Sequence, residues 1–67
     1  MRFKVDNMRC QHCVNAVTRA VQALDPAALV EVDLQRGELL AKGGFDAAAV
    51  IAALAEEDYP AQLLADG

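Results

Sequence analysis

Apolar and polar residues alternate at the start of the chain. Phe3 and Val5 stand between Arg2, Lys4 and Asp6, the period of two that marks a strand with one buried face. A first strand is predicted over about 2–7. From Cys13 the period changes: Val14, Val17, Val21 and Leu24 recur at spacings of three and four, with Asn15, Thr18, Arg19 and Gln22 on the other side, which predicts an amphipathic helix. Asp25-Pro26 ends it, because proline disfavours helical backbone in the residue before it. Val30, Val32 and Leu34 alternate with Glu31, Asp33 and Gln35 to give a second strand. Arg36-Gly37 reads as a short turn and Glu38 to Lys42 as a third strand, closing a hairpin.

Gly43-Gly44 interrupts that strand, and Asp46 is a good N-cap for a second helix over about 47–57. Phe45 before the cap and Val50 at the fourth helical position can form a hydrophobic staple, and Ala47, Val50, Ile51 and Leu54 make the buried face. Tyr59 to Leu64 is a last short strand, with Pro60 tolerated at an edge or a strand start. The order βαββαβ with right-handed crossovers is an α+β fold, the ferredoxin-like sandwich. Its four-stranded antiparallel sheet carries both helices on one face, as a single domain over residues 1–67. The core is expected where the helices meet Phe3, Val5, Val30, Val32, Leu34, Leu39, Ala41 and Leu63. The loop after the first strand and the loop before the last lie at the same end of such a sheet, so Tyr59 is expected near the cysteines.

Composition narrows what this domain can be. Fourteen of the 37 hydrophobic residues are alanine, so the larger apolar side chains suffice for a thin two-layer core. Sixty-seven residues leave no room for a cleft between lobes. Ten acidic residues against six basic ones give a net charge of −4, the wrong sign for holding nucleic-acid phosphates. Three aromatic residues and no Trp offer no stacking platform. The alternating opening segment lacks the apolar stretch of a secretory signal, and the longest apolar run, nine residues from Ala47 to Ala55, falls short of the roughly 20 that span a membrane. A soluble, cytoplasmic protein without membrane insertion is therefore expected.

The chemistry is concentrated in Met8-Arg9-Cys10-Gln11-His12-Cys13. A disulfide across so short a loop adds little long-range restraint, so the pair reads as free thiols for metal or redox chemistry. Cys10 falls in the loop and Cys13 in the first helical turn, where unpaired N–H groups and the helix dipole favour thiolate. Two thiolates suit Cu(I), whereas Zn²⁺ ordinarily takes four ligands. Met8 beside the strand end reads as packing rather than as a thioether ligand. His12 reads as a solvated spacer rather than a third ligand. Arg9 is balanced between a support for thiolates or a partner and an ordinary exposed residue. Tyr59 is either a core-edge aromatic or a cover for the metal site. Glu56-Glu57-Asp58 reads as a solvated helix end that would steer docking toward a basic partner if it rims the loop. No phosphate loop, general acid/base pair or nucleophile–base pair is discernible, and the chain does not read as an enzyme.

The Met-x-Cys-x-x-Cys segment after a strand, the element order and Asp58-Tyr59-Pro60-Ala61 before the last strand together resemble the heavy-metal-associated domain family. Within it, the chain is similar to the free-standing bacterial copper chaperones of the Atx1-like type, over its whole length. The resemblance implies Cu(I) bound by Cys10 and Cys13 and delivered to a copper-transporting P-type ATPase, with Met8 packed beneath the loop. A copper-bridged homodimer would use four thiolates. Some zinc-transporting relatives carry an acidic residue just before the first cysteine, and Arg9 in that place favours a singly charged ion. Asn7 and Asp58 replace glycines usual in the family, although Asn is the next best residue for left-handed backbone. The alternatives are the same fold carrying Hg²⁺, Zn²⁺ or Cd²⁺, or a thiol–disulfide oxidoreductase using the same pair. The latter lacks the proline-bearing motif and longer fold of a thioredoxin relative.

Overall fold

A computed structural model describes residues 1–65. Its elements are β1 (Arg2–Val5), α1 (Gln11–Leu24), β2 (Leu29–Asp33), β3 (Glu38–Lys42), α2 (Ala47–Glu56) and β4 (Ala61–Ala65). The sheet order is β2-β3-β1-β4 with every neighbouring pair antiparallel, and helices α1 and α2 pack against each other over it. This is the ferredoxin-like βαββαβ sandwich. Register places Phe3 opposite both Leu39 and Leu63, so the inward positions of three strands meet in one row.

The core is formed by Phe3, Val5, Met8, Val17, Val21, Leu39, Ala41, Val50 and Leu54, with no buried polar or charged residue among those described. Val17 and Val21 come from the stripe on α1, and Val50 and Leu54 from α2. Phe45 packs against this cluster from just outside α2, while Asp46 caps the helix by accepting the Ala49 N–H at 2.8 Å. Two expected core residues lie at its margin instead, Leu34 at 36% exposure and Leu63 at 39%. Leu63 faces inward beside Phe3, but β4 is an edge strand and the side chain is covered from one flank only.

Leu34 is displaced for a different reason. The β2–β3 turn takes four residues, Leu34 to Gly37, rather than two, and it is closed by a glycine in the left-handed region with φ +66°. Asp33 accepts the Arg36 N–H at 3.1 Å inside the turn, and the Val5 N–H donates to the Gly37 carbonyl at 2.7 Å. The turn is thus tied to the end of β1. The other boundaries move by a residue or two: β1 stops at Val5, α1 begins at Gln11, and β4 begins after Pro60, which keeps the proline out of the ladder.

Candidate metal centre

Strand β1 ends one residue before the chain reverses. Asn7 makes the reversal with φ +71°, a region that asparagine enters more readily than other non-glycine residues. Met8 then turns inward, 8% exposed within the core, and anchors the loop from below, as expected of a packing residue. Arg9 and Cys10 are exposed. Cys10 is the N-cap of α1 in extended conformation and makes no side-chain cap bond, while its carbonyl accepts the Cys13 N–H at 3.0 Å and the Val14 N–H at 3.2 Å. Cys13 follows in the first turn, half-buried.

This junction brings the Cys10 and Cys13 Sγ atoms to 3.9 Å, both as free thiols. An ion held at about 2.3 Å from each sulfur fits between them with a bent S–metal–S angle, and a linear arrangement requires the pair to open to about 4.6 Å. Among the described residues no group of three or more His, Cys, Asp or Glu is placed to hold a metal. His12 is exposed on the first turn of α1. The donor set that the fold assembles is therefore two sulfurs.

The two thiols have different surroundings. Cys13 Sγ lies 3.7 Å from the Asn7 carbonyl, to which it donates as a thiol. Its pKa is lowered to about 7, first by the Tyr59 hydroxyl and then by the backbone at Arg9, with burial opposing them and Cys10 adding a smaller lowering. Tyr59 is raised in return, chiefly by Cys13 and by partial burial. The bonds from Asn7 to the Asp58 carbonyl and from Asp6 to the Pro60 carbonyl place Tyr59, half-buried against the core, at the same end of the sheet as the thiols, as the topology led one to expect. The Tyr59 hydroxyl, ahead of the backbone groups at the helix start, is the largest influence favouring the Cys13 thiolate.

The family model of the heavy-metal-associated domain matches residues 2–60. The chain belongs to that family. The chain is 44% identical over 37 residues to the copper chaperone CopZ of Bacillus subtilis (strain 168), a match spanning 55% of this chain and about half, 54%, of that relative. Among solved structures it is similar to the copper chaperone Atx1 from Synechocystis PCC6803, at 29% identity and TM-score 0.88, covering 92% of this chain and 98% of that one. It is equally similar in fold to a gold-binding protein, at 27% identity and TM-score 0.88, covering 92% and 95% of the two chains. The fold expected from the hydrophobic pattern is thus that of known copper chaperones.

Two features of the site lay beyond sequence reasoning. One is the bond from the Asn7 carboxamide to the Asp58 carbonyl, 3.2 Å long and spanning 51 residues. The other is the asymmetry of the thiols. Left-handed backbone at Asn7 was signalled by residue type, and Asp58 adopts it as well, with φ +66°.

Proposed function

We propose that this chain is a cytoplasmic Cu(I) metallochaperone that carries one ion on Cys10 and Cys13 and hands it by ligand exchange to a copper-transporting P-type ATPase. The observation that carries this reading is the sulfur pair itself, 3.9 Å apart at a loop-to-helix junction. Two soft donors suit Cu(I) and leave Zn²⁺ short of its four ligands, and Arg9 beside Cys10 adds positive charge that disfavours a divalent ion. The copper chaperones and the gold-binding protein that the chain resembles support a soft cargo. Thiols kept free for cargo belong in a reducing compartment.

Exchange follows from the asymmetry of the pair. A partner thiolate adds to the bound ion from the exposed Cys10 side, giving three sulfurs around it. The bond to Cys10 then breaks, and a second partner thiolate displaces Cys13, leaving the ion on two partner sulfurs. No sulfur is oxidised, so the protein acts as a carrier rather than an enzyme. Glu56 and Glu57, exposed at the end of α2, favour a partner with a basic docking face. Two copies can also meet through the same sulfurs, with four thiolates around the cargo, and native mass spectrometry of the loaded protein separates that dimer from the monomer.

Competition for Cu(I) against a strong chelator, with the wild type, Cys10→Ser and Cys13→Ser, tests the reading. Loss of either sulfur should weaken binding roughly a hundredfold or more, beyond what outer-shell changes do. Near-equal affinities in all three proteins would defeat the two-thiolate site.

A further inference from the structure

Two loops converge at the thiols, and each contains a non-glycine residue in left-handed backbone: Asn7 at φ +71° after β1 and Asp58 at φ +66° before β4. The Asn7 Nδ2 donates to the Asp58 carbonyl at 3.2 Å, and the Asn7 carbonyl lies 3.7 Å from Cys13 Sγ. One residue therefore touches both the half-buried thiol and the backbone immediately before Tyr59. A second strut lies alongside, where the Asp6 N–H donates to the Pro60 carbonyl at 2.8 Å. On the helix side, the Tyr59 N–H donates to the Leu54 carbonyl at 2.9 Å and the Asp58 N–H to the Ala55 carbonyl at 3.1 Å.

We infer that Asn7 is a positioning residue for the cargo site: its carboxamide ties the α2–β4 connection, which carries Tyr59, to the metal loop and so fixes that connection beside Cys13. The inference rests on the carrier reading above for its consequence. With the connection tied, Cys13 stays half-buried and Cys10 is the sulfur open to an incoming thiolate. With it untied, the Asp6–Pro60 strut and core packing still hold the connection, but it moves more freely and Cys13 opens to competing ligands, so cargo leaks faster to small chelators. Asp58 contributes through its backbone carbonyl, so its side chain is dispensable for the tie.

That division between side chain and carbonyl makes the inference testable. Glycine adopts left-handed backbone freely, so Asn7→Gly and Asp58→Gly both relieve the same conformational constraint, but only Asn7→Gly deletes the hydrogen bond. Asn7→Asp keeps the shape and removes the donor. The chain has one tyrosine and no tryptophan, so its fluorescence reports Tyr59 alone.

In the copper-free protein, acrylamide quenching should rise in Asn7→Gly and Asn7→Asp and stay at the wild-type level in Asp58→Gly, with far-UV circular dichroism confirming the fold. Loss of an exposed hydrogen bond shifts a local equilibrium roughly two- to tenfold, and release of Cu(I) to excess chelator from the Asn7 variants should quicken by a similar factor. In the unaltered protein, one Asn7 side-chain amide proton should exchange more slowly than those of Asn15, whose NH₂ makes no corresponding bond among the described residues. Equal quenching in all four proteins, or equal exchange at Asn7 and Asn15, would overturn the tie. Failure of the wild type to bind Cu(I) would instead overturn the carrier reading, since quenching and proton exchange are measured without metal.

Discussion

The Asp25 carboxylate reaches 19 residues along the chain to accept the Gly44 N–H at 2.8 Å. Its other oxygen accepts the Ala27 N–H at 3.0 Å. One side chain thereby joins the end of α1 to the connection between β3 and α2, at the opposite end of α1 from the thiols. Both bonds are made to the ionised form, and they hold the carboxyl below its ordinary value of 3.8. A depressed carboxylate contributes stability that is present above its unfolded-state value and is lost as pH falls through the folded-state value. Asp25→Asn should therefore lower Tm near neutral pH, and the gap to the wild type should narrow in acid below about pH 4. Thermal melts across that range check the sign, and a constant gap would show that the charge is irrelevant.

Gly43 beside that bond is sterically locked. A methyl group there would come within 2.7 Å of the Phe45 ring, 2.8 Å of the Asp25 carboxylate and 3.1 Å of the Ala28 side chain. Gly43→Ala must displace the hydrophobic residue that precedes α2 or the carboxylate that ties α1, and strain of this kind costs about 1–3 kcal/mol. Urea unfolding should show a lower midpoint with little change in slope.

The parts of the fold that could be read beforehand share a physical basis. Val17, Val21, Val50 and Leu54 are legible because local periodicity alone decides which way they point, and Cys10 and Cys13 because a strand-to-helix junction leaves short-range sulfurs few other positions. Leu34 misleads because alternation runs on through Val30 and Val32 without any local sign that the turn needs four residues. That length is settled by Gly37 and its bond to Val5, a contact across the sheet. Leu63 has the correct orientation, but its coverage depends on β4 being an edge strand. The ties from Asp25 to Gly44 and from Asn7 to Asp58 join polar residues far apart in the chain, and polar residues in loops carry no periodic signal.

Tyr59 is the leading cause of the lowered Cys13 pKa, at about 7. Tyr59→Phe keeps the ring and deletes the hydroxyl, so the Cys13 pKa should rise toward its ordinary value of 9.0. The rate of alkylation at Cys13 against pH, followed by mass spectrometry in a Cys10→Ser background, measures this directly. At pH 7 the variant should react more slowly, because less thiolate is present. An unmoved profile would assign the shift to the backbone at Arg9 and Cys10 instead.

Leu54 is fully buried at the centre of the two-layer core, one turn before the connection that carries Tyr59. Leu54→Ala should cost about 2–5 kcal/mol, a large share of the stability of so small a domain. The thiols, by contrast, lie at the rim: Cys10 is exposed, and Cys13 only packs against the core cluster. Cargo and core are therefore separable. Removing copper with a chelator should leave far-UV circular dichroism essentially unchanged, because every buried side chain named in the core keeps its partners without metal. Copper should raise Tm only by the linkage expected of a ligand that binds the folded form. Collapse of secondary structure on chelation would make the ion structural and would contradict the carrier role proposed for these two cysteines.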